Sequence, residues 1–246
     1  METGLTGKTV LITDGGSAAA RAMIRAFAAE GANLIVGRSR TFGQSSAIVR
    51  ESEVAGVRVV TGDWDVRDEA SIQFMLEQSV AQVSTIDVLI NNTEVESSGK
   101  SFADITYAEW ENVIDTGLGG ALFVTKAVLP GMIDKQWGRV INFTGLAAFF
   151  GSDCARTTTQ LGIVGLTRGI SRWYGKDNVT ANCIGPGGIT PEAGGSSTEF
   201  APQPTDPVPR WGTPHEVASL AVYLSSNDAA YITGQCILVN GGKFLL

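Results

Sequence analysis

The chain has 246 residues, 43% of them hydrophobic and 17% charged, a composition that suits a folded globule with a sizeable core and excludes a disordered chain. Twenty-five acidic residues against 18 basic ones leave a net charge of −7, so nucleic acid or an anionic membrane surface would repel it. The first apolar run, residues 10–13, reads as a strand that breaks at Asp14-Gly15-Gly16. Residues 18–30 are rich in alanine, with apolar side chains at helical spacing, and Gly31 stops that helix. A strand at 34–36, a helix at 42–53, a strand at 57–61 and a helix at 72–83 follow. The run IDVLI, residues 86–90, has almost no polar interruption, as expected of a strand covered on both faces.

Two long helices are predicted next, one over roughly 107–128 that ends near Pro130 and one over 154–174, with a strand at 140–143 between them. Strands at 179–184 and 237–239 follow, and Thr213-Pro214 marks a further helix start that leaves His215 solvated in its first turn. This alternation predicts an α/β fold: a single Rossmann-type domain over 1–246, a doubly wound parallel sheet with helices on both faces. Residues 186–209 are rich in Pro, Gly, Ser and Thr and read as a variable segment, a mobile or binding loop rather than a domain boundary. Cys154, Cys183 and Cys236 are odd in number and widely spaced, and His215 is the sole histidine. That pattern argues against a disulfide framework or a metal site and for a reducing cytoplasm. No signal-peptide pattern reads from METGLTGKTVLIT, and no uninterrupted apolar run reaches the length of a membrane span.

The segments GKTVLIT, IDVLINN, GRVIN, GIVGLTRGIS, NVTANCIGPG and the long block from Arg210 to Gly242 resemble the short-chain dehydrogenase/reductase family over nearly the whole chain. The resemblance implies an NAD(P)-dependent oxidoreductase. In that family a Gly-rich turn receives the cofactor pyrophosphate, and a Ser, Tyr and Lys set, helped by an Asn, moves the proton. In the turn, Asp14, Ala18 and Ala20 stand where the family has glycine. Each alanine adds a Cβ and Asp14 adds a negative charge beside the expected phosphates. Arg156 stands for the tyrosine, Gln160 for the lysine, Gly145 for the serine, with Thr144 beside it, and Gly117 for the asparagine. Arg156 and Gln160 keep the i, i+4 spacing of a pair on one helix face, but a guanidinium stays protonated and is a poor proton donor.

Asp65 matches the family position that contacts adenine, Arg38 the position of an NADP phosphate contact, and Asn91 a retained strand-end asparagine. These read as weak remnants: Asp65 caps a turn, Arg38 is solvated, and Asn91 satisfies backbone groups. Glu94 brings a carboxylate toward the cofactor channel, Asp153 pairs locally with Arg156, and Trp110, Trp173 and Trp211 belong to the core or to helix faces. The expectation is therefore a non-catalytic subunit with no cofactor of its own. It would stabilise a homologous, intact NAD(P)-bearing subunit in a hetero-oligomer, most naturally a tetramer. In this it resembles the degenerate chain of the two-subunit hydroxyacyl-CoA dehydrogenase of benzylsuccinate degradation. The alternatives are self-association, a cofactor-independent enzyme using Arg156, Glu94, Asp14 or Cys154, and a metabolite sensor built on the cleft around Arg156.

Overall fold

The computed structural model describes residues 3–38, 56–93, 99–190 and 200–245, with Arg38 through its backbone alone. The predicted helix at 42–53, Glu94 and residues 191–199 of the loop lie outside them. Seven parallel strands form one sheet: β1 (Thr9–Ile12), β2 (Asn33–Arg38), β3 (Val59–Asp63), β4 (Val88–Asn91), β5 (Gly138–Phe143), β6 (Val179–Pro186) and β7 (Cys236–Val239). Their order is β3-β2-β1-β4-β5-β6-β7. The chain winds one way from β1 and the other way from β4, so a crevice opens between their C-terminal ends, where ligands of doubly wound folds bind.

Helix α1 (Ala18–Ala29) starts at Ser17, whose hydroxyl oxygen accepts the Ala20 N–H, and ends where Gly31 turns the chain at φ +77°. Its Met23, Ile24 and Phe27 are fully buried on one face of the sheet with Val10, Ile12, Val36 and Ile90. Each such side chain is worth about 1.5–3 kcal/mol by burial. On that face α1 packs beside α7 (Pro214–Ser225), which carries a capping box between Thr213 and Glu216. The opposite face takes α2 (Glu69–Val80) and the long helices, around Leu11, Leu89, Val124, Met132 and Val140.

The predicted helix near 107–128 is longer and less regular than the sequence reading. It runs as α3 (Tyr107–Ile114), a π turn (Asp115–Gly119) and α4 (Gly120–Asp134). It passes through Pro130 because Pro130 and Lys126 both face solvent, so water can serve the carbonyl left without its helical donor. The whole segment, Tyr107–Asp134, is long and apolar enough to cross a membrane, but its Val124, Val128, Leu129 and Met132 are spent on the sheet. A short helix, α5 (Ala147–Phe150), precedes α6 (Cys154–Tyr174), which has the predicted bounds.

Candidate active site

A cleft of about 360 Å³ opens at the C-terminal ends of β1, β4, β5 and β6. Three elements wall it. The N-terminus of α1 brings Ser17, Ala18 and Ala19, and the π turn brings Gly117. One face of α6, at i, i+3, i+4 and i+7, brings Arg156, Thr159, Gln160 and Ile163. Asp153 holds the start of α6, its Oδ1 accepting the N–H groups of Ala155 at 2.9 Å and Arg156 at 3.1 Å. This cap fixes the turn from which the half-buried Arg156 projects. The π turn falls at the position of the family asparagine, a place where widened helices recur at functional sites.

Gln160 and Gly145 form a single unit. Gln160 Oε1 accepts the Ala148 N–H at 3.0 Å, which folds the side chain over Gly145. A Cβ on Gly145 would stand 2.8 Å from Gln160 Nε2, so a serine there requires the glutamine to move. Thr144 donates its hydroxyl to the Gln160 carbonyl at 2.9 Å. The hydroxyl hydrogen is committed, and the oxygen beside the cleft is left as an acceptor.

The turn after β1 is drawn tight by its own side chains. Asp14 Oδ1 accepts the Gly16 N–H at 2.7 Å, and the Gly15 N–H goes to the Gly37 carbonyl. Ala20 lies fully buried in the core, so its methyl group does not face the cleft, contrary to the expectation from sequence; only Ala18 of the two replacing alanines borders it. The helix start with Ala18 and Ala19 open on the cleft fits a phosphate group, because first-turn N–H groups have no intrahelical acceptor. Asp14 is the misfit, a fixed negative charge on the same turn.

On the adenine side, Asp65 is occupied by Arg67, with guanidinium contacts of 2.9 and 2.7 Å and a backbone N–H at 2.9 Å. These hydrogen bonds hold its carboxyl below the usual range. The predicted turn cap at Asp65 is present. Asn91 departs from the prediction that it serves backbone groups: its Nδ2 donates to Asn142 Oδ1 at 2.8 Å and Thr125 Oγ1 at 3.1 Å. Sequence spacing hides this contact, because Asn91 and Asn142 meet only through the β4–β5 register. Trp64 was also missed; its Nε1 donates to the Thr13 carbonyl at 3.0 Å, over Gly37 at the end of β2.

His215 is exposed in the first turn of α7, as expected. Trp173 is 71% exposed and so lies on a helix face of α6 and not in the core, and Trp110 is half-buried beside Tyr107. Cys154 is half-buried at the first turn of α6 and does not line the cleft.

A dinucleotide-type fold with its cleft at the β1/β4 switch point defines the class: a Rossmann-fold oxidoreductase. Residues 16–243 match the family model described as Enoyl-(Acyl carrier protein) reductase, and the chain belongs to the short-chain dehydrogenase/reductase family. It is 32% identical, over 99% of its length and 100% of the relative's, to the 3-oxoacyl-[acyl-carrier-protein] reductase FabG of Aquifex aeolicus. It is 31% identical to the same-named protein of Chlamydia muridarum, over 97% of this chain and 98% of that one. Among solved structures, levodione reductase superposes with a TM-score of 0.85 at 27% identity, covering 97% of this chain and 98% of that one. A blue fluorescent protein from a metagenomic library, in complex with NADPH, gives 0.86 at 26% identity, covering 98% and 99%.

These findings correct the functional expectation. Full-length relatives named as reductases overturn the reading of a non-catalytic companion subunit. The expectation of a chain without its own cofactor also conflicts with this kinship, since a close structural neighbour is described with NADPH.

Proposed function

We propose that the chain is an NAD(P)-linked reductase of carbonyl compounds in which Arg156 replaces a hydroxyl as the group that polarises the carbonyl. The observation that supports this is the placement of Arg156 on the cleft face of α6, one turn before Gln160 and across from the N-terminus of α1. Ser17, Ala18 and Ala19 would hold the pyrophosphate of the dinucleotide, which supplies the hydride when bound. The guanidinium donates hydrogen bonds to the carbonyl oxygen and stabilises the negative charge that gathers there. A guanidinium is not a matched general acid, so the alkoxide takes its proton from water. Without a matched general acid, turnover is expected about 10²- to 10⁴-fold below that of relatives with a tyrosine. No second chain enters the reaction as proposed. The free thiols favour a reducing compartment, and we place the protein in the cytoplasm.

The test is NADPH consumption with a 3-oxoacyl thioester, comparing the parent with Arg156→Lys and Arg156→Ala. Arg156→Ala is expected to lose about 10²- to 10³-fold in kcat, and Arg156→Lys less. Absence of NADPH-dependent turnover, or an alanine variant as fast as the parent, overturns the proposal.

A further inference from the structure

Among the described residues, two oxygen atoms on the wall of the cleft are buried with no hydrogen-bond partner, Asn91 Oδ1 and Thr159 Oγ1. Asn91 is 4% exposed and Thr159 1%. Orphaned polar atoms of this kind carry an unrepaid desolvation cost, and each calls for a reason.

The orientation of Asn91 follows from its neighbours. The Thr125 hydroxyl donates to the Ala121 carbonyl at 2.7 Å and the Thr167 hydroxyl to the Ile163 carbonyl at 2.8 Å. Both oxygens are then left only to accept. Asn142 Nδ2 donates to Thr167 Oγ1 at 2.9 Å, so Asn142 turns its Oδ1 toward Asn91. Asn91 must therefore present Nδ2 to Asn142 and Thr125, and its Oδ1 faces away. Reversing both amides would forfeit the two hydroxyl–carbonyl bonds. Asn91 Oδ1 is thus a fixed acceptor.

Thr159 shows the same signature by contrast. Thr125 and Thr167 both return their hydroxyls to the carbonyl four residues back, the usual resort of a helical threonine. Thr159 does not, although it sits on α6 one turn from Arg156 and on the same cleft-facing stripe.

We propose that Asn91 and Thr159 are specificity residues that recognise a hydrogen-bond donor on the substrate. The site selects carbonyl compounds that carry an amide N–H or a hydroxyl near the reacting carbonyl, over those with only acceptors there. Arg156 receives the carbonyl oxygen, and Asn91 Oδ1 and Thr159 Oγ1 receive the donor. This inference rests on the reductase reading for the reacting carbonyl, but its recognition step is a binding property that stands apart from turnover.

The probes are acetoacetamide and N,N-dimethylacetoacetamide, which share both carbonyls and differ in the amide N–H groups and in the two methyl groups that replace them. Calorimetric titration of the wild-type protein should favour acetoacetamide by about 10- to 100-fold. Because Asn91 variants break the Asn142 network and risk misfolding, the decisive variant is Thr159→Val, which removes the hydroxyl and keeps the shape. It should cut the preference at least several-fold while leaving Tm of the free protein equal or higher, since an orphan hydroxyl is lost. A hydroxyl with a structural role would lower Tm instead. Equal binding of the two amides by the wild type overturns the inference, as does a Thr159→Val protein with lower Tm and unchanged preference. NADPH turnover separates the two readings. A binding preference without turnover sinks the reductase reading alone, and turnover with equal binding of both amides sinks this one alone.

Discussion

Replacing Asp14 tests whether the turn after β1 is a phosphate site held back by one charge. Two variants separate charge from geometry. Asp14→Asn keeps an oxygen that accepts the Gly16 N–H, now at 2.7 Å from Asp14 Oδ1, and removes the charge. Asp14→Gly removes both and frees the Gly16 N–H for a ligand. For unit charges about 6 Å apart and an effective dielectric of about 20–80, the repulsion is roughly 0.7–2.8 kcal/mol. That corresponds to about 3- to 100-fold in the Kd of NADPH. The freed N–H adds about 1.5–3 kcal/mol if it reaches a phosphate oxygen, while the free turn loses a side-chain cap worth about 0.5–1.5 kcal/mol. The expected order of affinity is Asp14→Gly, then Asp14→Asn, then the parent. Fluorescence titration with NADPH at low and high salt is the assay. The gain of Asp14→Asn should shrink as the Debye length falls from about 30 Å at 0.01 M to about 8 Å at 0.15 M. If Asp14→Asn binds no tighter than the parent at low salt, the charge is not what limits the site and the reasoning fails.

The remaining predictions concern the scaffold. Gly37→Ala drives a Cβ onto the Thr13 carbonyl oxygen and Trp64 Nε1, contacts that backbone cannot yield, and should cost about 1–3 kcal/mol, read as a fall in Tm. Cys183 and Cys236 are register partners on β6 and β7. The hydrogen bond between them lowers the Cys236 thiol and raises that of Cys183, which burial raises further. Iodoacetamide should therefore modify Cys236 first, with Cys183 labelled only on unfolding, as peptide mass mapping would show; equal rates would refute this. Glu216 is bonded to Arg210 and to the Thr213 N–H, which bring its carboxyl from the ordinary 4.5 to about 2. A depressed carboxyl stabilises above its unfolded pKa and loses that contribution as pH falls through the folded one, so the clasp on the 200–213 segment should release between about pH 4.5 and 2. Hydrogen exchange in that segment should show this acid limb in the parent, and Glu216→Gln should lack it.

The fold was legible because the strands are apolar runs between helix-period segments and turn glycines, a pattern with few alternatives. The bounds of α6 matched the expected 154–174, and most of α1 followed from its alanine content, its helical spacing and Gly31. Pro130 misled because the helix on both sides of it is packed on the sheet and the carbonyl it frees faces water, so the local cost does not end the helix. The site was legible in part. Spacing put Arg156 and Gln160 on one face, but the tie between Gln160 and Gly145 could not be read, because it runs through the Ala148 N–H.

Asn91 shows the deeper limit. Its neighbours come from β5, α4 and α6, which only the sheet order brings together, and its orphaned oxygen is visible only once every hydroxyl has been assigned a bond. The same reasoning explains why counting lost family residues misjudged the protein. Substitutions at three turn positions and four catalytic positions read as independent losses. In the fold Gly145 and Gln160 are one change, Ala20 is a core residue, and Arg156 places a cation and its donors where the family places a hydroxyl. On the proposed reading the site is rebuilt around a guanidinium and two acceptors, which differs chemically from a site that has decayed, and the distinction rests on which hydrogen bonds are already made and which a ligand would complete.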